Sequence, residues 1–369
     1  MFRIAEVHIF SKKLTFDGPA YVFADREIQD LDSTIVQLVT DAGILGWGET
    51  CPIGPTYQEQ HALGAQAALR EIGRHLPGLV VSGPTAFRHT IDGFLAGHNY
   101  AKAALDMAVT DIMGKLFDVR ACDLLGGAHV DRVPSYHALS LGEPEEVARQ
   151  ALAKAREGFP RLQIKCAADP IERDIATIRK VWEAVGNDVR LCADANRSWT
   201  TGDTLRASRE CRDVPITFEQ PCDTIEEIAS IRAQVAHPIH LDECTVDQNT
   251  VVRAIASGVC DGFGFKVTRM GGLWPMTTLR DLCVARSMPH NCEDSWGSDI
   301  VAAACVHIGA TVPPRLSEGV WIAGPYIAGH YDEENGIRIV DGQIAVPEGP
   351  GLGITPEPGI FGDPVASFG

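Results

Sequence analysis

From Val133 onward the chain repeats one pattern eight times: a short apolar run with a polar residue near its C-terminal end, then a stretch with helical spacing. The runs are PSYHALSL, RLQIKCA, VRLCADAN, ITFEQP, PIHLDEC, GFGFKVTRMGG, MPHNCEDSW and RLSEGVW. Lys165, Asp194, Glu219, Asp242, Lys266, Asp294 and Glu318 mark their ends at intervals of roughly 23 to 29 residues, about one βα unit each. The pattern predicts an α/β fold, a modified (β/α)8 TIM-type barrel with its site at the C-terminal mouth. In RLQIKCA, Leu162, Ile164 and Cys166 alternate with Gln163, Lys165 and Ala167. On a sheet with one wet face Lys165 would be surface decoration. In a closed barrel both faces are covered, so it becomes a buried amine sharing a cavity with carboxylates and a second lysine.

The first third reads differently. FRIAEVHIF and STIVQLVTDAGILGWGE read as strands with a Gly-containing hairpin turn, and HALGAQAALREIGRHL and YAKAALDMAVTDIMGKLF as helices. This predicts an α+β capping domain over 1–127, with lid loops near 15–27 and 51–61, and a barrel over 128–325. The remaining residues, 326–369, are rich in Gly and Pro and are expected to pack back on the capping domain. A length of 369 residues suits two domains.

Composition narrows the function. Hydrophobic residues make up 45% and charged residues 22%, as in a soluble globular protein, and no window reaches the length of a membrane span. The N-terminus MFRIAEVHIF lacks the apolar core and cleavage site of a secretory leader, so the expected location is the cytoplasm. Eleven cysteines scattered singly, with no C-x-x-C pair, read as reduced thiols. A net charge of −17 without a basic patch argues against nucleic acid.

Asp194, Glu219 and Asp242 end three consecutive strands, and three convergent oxygen ligands suit a hard divalent ion, Mg²⁺ above all. Any one of them alone would more often be a helix cap or ion-pair partner; the spacing of three favours the metal. Lys165 and Lys266, on the second and sixth strands, lie across the mouth from each other. An amine on each side of a carboxylate substrate can remove the α-proton and return one from the opposite face, inverting the carbon. Their duller role is pairing with those same acids.

These residues, with the GWGE hairpin at Gly46, the helix NYAKAALDMAVTDIMGK, LLGG and the closing PGLG, resemble the enolase superfamily in its muconate-lactonizing and mandelate-racemase-like branch. The resemblance implies Mg²⁺-assisted abstraction of a proton α to a carboxylate, with Asp194, Glu219 and Asp242 as ligands and Lys165 and Lys266 as the acid/base pair. It also implies a homo-oligomer. Members often carry K-x-K on the second strand; here the first position is Gln163, which removes one positive charge near Lys165 and the substrate.

The remaining site residues bear on substrate. Trp321 and Glu318 in EGVW and Tyr57 in CPIGPTYQEQH are expected at the mouth, where aromatic faces suit a quaternary ammonium. Asp294 would hold a ring hydroxyl, orient Lys266 or cap a helix. No D-x-D for an α-ammonium stands on the eighth strand. GPTY, RLQIK, HNCEDSWGSDI and EGVW together resemble the 4-hydroxyproline betaine 2-epimerases of the branch, which implies a betaine carboxylate as the small-molecule partner. Two alternatives are a dehydratase of a hydroxyproline or sugar acid, and a catalytically silent ligand-binding protein.

Overall fold

The computed structural model describes residues 1–369 apart from 19, 20, 24, 25, 29, 168, 169 and 295, with only the backbone for 21–23, 26 and 27. The expected lid loop near 15–27 therefore lies partly outside the described residues.

Eight parallel strands follow one another around the barrel: His137–Leu139, Arg161–Lys165, Arg190–Asp194, Ile216–Glu219, Ile239–Leu241, Gly262–Lys266, His290–Glu293 and Ser317–Val320, called barrel strands one to eight. A parallel bridge between Ser135 and Val320 joins the last to the first, and Ser135 Oγ donates to the Val320 carbonyl at 2.9 Å. Helices follow each of the first seven strands. After the eighth, no regular helix is present among the described residues. The chain instead pairs Gln343–Ala345 with Arg132–Pro134 and Ala366–Phe368 with the N-terminal strand Phe2–Thr15.

Strand alternation explains the interior. In the second strand Leu162 and Ile164 belong to the apolar core, while Arg161, Gln163 and Lys165 project toward the carboxylates of neighbouring strands. In the sixth, Phe263 and Phe265 stack at 5.0 Å and leave Gly262, Gly264 and Lys266 to the other face. Small residues there leave room for long charged side chains from across the barrel.

The capping domain is an antiparallel sheet of Phe2–Thr15, Asp30–Thr40 and Leu45–Thr50, covered by the long helix Asn99–Phe117. GWGE is the point of closest approach. A β-carbon on Gly48 would lie 1.8 Å from the Ala104 carbonyl oxygen, and one on Gly46 would lie 2.3 Å from that of Ala108. Glu49, fully buried, accepts from Ser33 Oγ at 2.7 Å, from the Ser298 and Val301 amides at 2.9 and 3.0 Å, and from Tyr331 Oη at 2.9 Å. It therefore ties the cap to the start of the helix Asp299–Ala310, beside the barrel mouth. Gly48→Ala should destabilise the fold by about 3 kcal/mol or more, since backbone rather than a mobile side chain stands in the way. An unchanged denaturant midpoint would mean that the helix can shift to accept a methyl group.

The eleven cysteines are unpaired and ten of them are buried. Among the described residues no helix is long and apolar enough to cross a membrane.

Candidate active site

Parallel register brings the strand ends to one level. Lys165 stands beside Asp194, Asp194 beside Glu219, and Lys266 beside Glu293. Together with Asp242, which follows the fifth strand, they border a cavity of about 450 Å³, counted out to its opening. Its walls also include Ile53, Tyr57, Ala138, Gln163, Asn196, Asp294, Trp296 and Trp321.

Asp194, Glu219, Asp242 and Glu293 each meet a cation. Lys165 Nζ donates to Asp194 Oδ2 at 2.6 Å. Lys266 Nζ donates to Asp242 Oδ2 at 2.6 Å and to Glu293 Oε1 at 3.1 Å. Arg269, buried just past the sixth strand, donates to Asp242 Oδ1. Glu219 Oε2 accepts from Gln163 Nε2 at 3.1 Å, Arg161 Nη2 at 3.3 Å and the Cys192 thiol at 3.0 Å. Gln163 thus acts here as a neutral donor to a carboxylate.

These pairings shape the electrostatics. Burial, with Asp194 close by, pushes Glu219 up to about 8. Burial works against charge on Asp242 as well, yet Lys266 and Arg269 hold its carboxyl well below the usual range. Burial likewise disfavours the Lys266 ammonium, but Asp242 and Glu293 outweigh it and hold its pKa well above that of a free lysine.

Glu219, Asp242 and Glu293 offer oxygens that all lie within 4.8 Å of one another, and all three residues are buried. Two observations fit this group to a hard divalent cation. Glu219 Oε1 is buried with no hydrogen-bond partner. Gly264 faces the cluster, where an added β-carbon would come within 3.3 Å of Glu219 Oε1 and 3.6 Å of Glu293 Oε1. Buried oxygens converging on a space kept clear of side chain are the donor set that Mg²⁺ takes. Asp194 stands at the edge of this group, its Oδ2 turned to Lys165 and its Oδ1 accepting from the Asn196 amide at 2.9 Å.

Tyr57 reaches in from the cap. Its hydroxyl donates to Asp242 Oδ2 at 3.2 Å, and Lys266 Nζ lies 6.0 Å from its ring centroid. Trp321 meets Trp296 edge to face at 5.3 Å and Tyr326 at 5.5 Å. Phe16, at the start of the first lid loop, packs edge-on against Trp296 at 5.1 Å. Asp294 accepts from the amide and hydroxyl of Thr268, both at 2.8 Å, and so steadies the backbone two residues past Lys266.

One expected substrate contact is corrected. Glu318 does not border the cavity: it is the second residue of a short strand and lies a layer below the mouth, paired with Arg190 at 3.0 Å and Arg161 at 3.5 Å. Both arginines begin their strands, so Glu318 belongs to the barrel floor. The sequence reading also passes over Glu293, Arg269 and Trp296. Glu293 and Trp296 stand in the quoted run HNCEDSWGSDI, and Arg269 stands in KVTRMGG.

Comparison with known proteins agrees with this geometry. Residues 4–126 match the family model described as mandelate racemase / muconate lactonizing enzyme, N-terminal domain, and residues 146–360 match enolase C-terminal domain-like. The chain is 35% identical over 368 residues to a cis-3-hydroxy-L-proline dehydratase of Roseibium aggregatum, covering 99% of this chain and 100% of that protein. It is 27% identical to an N-succinyl-L-Arg/Lys racemase of Bacillus cereus, covering 95% of each. The crystal structure of an enolase superfamily member from Roseovarius nubinhibens ISM, complexed with magnesium, superposes with a TM-score of 0.93 at 31% identity, covering 100% of this chain and 99% of that one.

Proposed function

The chain belongs to the enolase superfamily, in its mandelate racemase and muconate lactonizing branch, and on that footing we propose that it is a racemase or 2-epimerase of proline betaine and 4-hydroxyproline betaine. The observation that carries this reading is the placement of two lysines, Lys165 on the second strand and Lys266 on the sixth, in one cavity with a carboxylate cluster and Trp321. A divalent ion held by Asp194, Glu219 and Asp242 would polarise the substrate carboxylate and offset the acidic charge that stabilises the lysine ammonium. The protein's own part is positional. One lysine removes the α-proton from its face, and the other, as an ammonium, delivers a proton to the opposite face. Trp321 and Tyr57 give the quaternary nitrogen aromatic surface instead of hydrogen bonds it cannot make.

A second reading has a specific support, the similarity to the Roseibium aggregatum hydroxyproline dehydratase. There the same lysines would remove the α-proton and assist departure of a β-hydroxyl. Incubation with each enantiomer of proline betaine, with 4-hydroxyproline betaine and with cis-3-hydroxy-L-proline separates the two by chiral chromatography and mass. Inversion at constant mass is the expected result. Loss of water from the hydroxyproline without inversion of either betaine replaces the racemase by the dehydratase, and no turnover of any of them points to a silent binding protein.

Trp321 gives a further test. Cation–π attraction is worth on the order of 0.5–2 kcal/mol, so Trp321→Ala should weaken a betaine inhibitor more than its uncharged carbon isostere. Equal losses in the two dissociation constants would leave Trp321 a packing role only.

A further inference from the structure

Lys266 is held by two carboxylates on neighbouring strands, and only one of them belongs to the metal triad read from the sequence. Asp242 Oδ2 lies 2.6 Å from Nζ and Glu293 Oε1 lies 3.1 Å from it. The other Glu293 oxygen is already engaged: Oε2 accepts from Tyr136 Oη. Tyr136 is itself fixed, because its hydroxyl accepts from Asn291 Nδ2 at 3.0 Å and the Arg161 guanidinium lies 4.3 Å from its ring centroid. Tyr136, Asn291, Glu293 and Lys266 are all buried. The result is a carboxylate with one oxygen locked by a tyrosine and the other aimed at the amine.

We propose that Glu293 is the positioning residue of Lys266, a bracket from the seventh strand that keeps the amine on its side of the substrate. The inference rests on the two-lysine reading above. A lysine side chain has many rotamers to lose, and a base displaced by about 1 Å can lose roughly 10²-fold in rate. When a divalent ion draws on Asp242, Glu293 remains as a partner of Lys266, provided that its own oxygens are kept out of the metal's coordination. Tyr136 engages Oε2 and the Lys266 ammonium engages Oε1, so both oxygens have partners of their own while Asp194, Glu219 and Asp242 supply the ion's ligands.

The test is Glu293→Gln, which preserves shape, with Tyr136→Phe as a milder companion that unlocks Oε2. Three measurements are needed: α-hydrogen exchange of each betaine enantiomer in D₂O, Mg²⁺ affinity by calorimetry, and crystal structures of wild type and variants. The expected result is a fall of about 10²-fold for the enantiomer whose exchange Lys266→Ala also abolishes, with the other enantiomer and Mg²⁺ affinity unchanged. Tyr136→Phe should show the same one-sided loss in smaller degree. Equal loss for both enantiomers, or a loss that follows weakened Mg²⁺ binding, overturns the inference and makes Glu293 a metal ligand or a structural group. If wild type exchanges neither enantiomer, the two-lysine reading has failed. The crystal structures then decide the bracket alone: Lys266 Nζ displaced in Glu293→Gln supports it, and an unmoved amine overturns it.

Discussion

Exhaustive chelation should stop turnover, lowering it by at least ~10³-fold, the upper end of what removing one preorganised oxyanion stabiliser costs, and added Mg²⁺ should restore it. The fold should survive. Lys165, Lys266, Arg161 and Arg269 pair with the carboxylates, so loss of an ion leaves no cluster of bare buried charges. Circular dichroism and the melting curve should change far less than activity. The structure also predicts a proton release. Burial and the neighbouring Asp194 push Glu219 up to about 8, so without a cation its protonated form is favoured near neutral pH. A raised carboxyl favours its protonated form below about pH 8, and a cation must displace the proton to bind. Mg²⁺ affinity should therefore tighten as pH rises from 7 to 9, with proton release detected by calorimetry in buffers of different ionisation enthalpy. Full activity in metal-free protein would rule out the metal-assisted reading, and a flat affinity profile would place the proton elsewhere.

The barrel is legible in the sequence because a closed parallel sheet imposes two periods at once. Within a strand, every second side chain points inward. Between strands, one βα unit returns the chain to the same level. Lys165, Asp194, Glu219 and Lys266 each end their strands, where both periods put a polar residue. The reading weakens where a strand end is ambiguous by one residue. In HNCED two acids stand side by side, and a shift of one residue exchanges the faces. The strand ends at Glu293, which meets Lys266, while Asp294 turns to Thr268. Glu318 shows the same weakness of level. The register pairs His290 with Ser317 and Cys292 with Val320, so Glu318 lies between those levels, below Glu293, and the spacing of strand ends along the chain does not resolve a level that finely. Tyr136 and Arg161 carry no local signal at all. They lie far from Glu293 and Glu219 in sequence and become partners only when the start of the first strand meets the seventh, and the second meets the fourth, around one interior.

On the two-base reading, removing one lysine should stop inversion and yet leave exchange in one hand. Lys165 and Lys266 border the same cavity from strands on different sides of the barrel, so each faces a different side of an α-carbon bound between them. On that reading, Lys165 would serve the (S) face and Lys266 the (R) face, as the resemblance to the branch implies. In D₂O, Lys266→Ala should still exchange the α-hydrogen of the (S)-betaine without inverting it, and Lys165→Ala should do so only for the (R)-betaine. Loss of a general acid or base typically costs about 10²–10⁴-fold, so inversion should fall by that factor while the surviving exchange stays close to wild type. Both variants also free a carboxylate, because Lys165 pairs with Asp194 and Lys266 with Asp242 and Glu293. Mg²⁺ affinity measured on the same samples therefore separates an altered metal site from a missing base. A lysine that served only those ion pairs would reduce exchange of both enantiomers together, in step with the change in affinity. Inversion at near wild-type rate in either variant would show that the lysine removed is not a base, whatever its distance from the carboxylates.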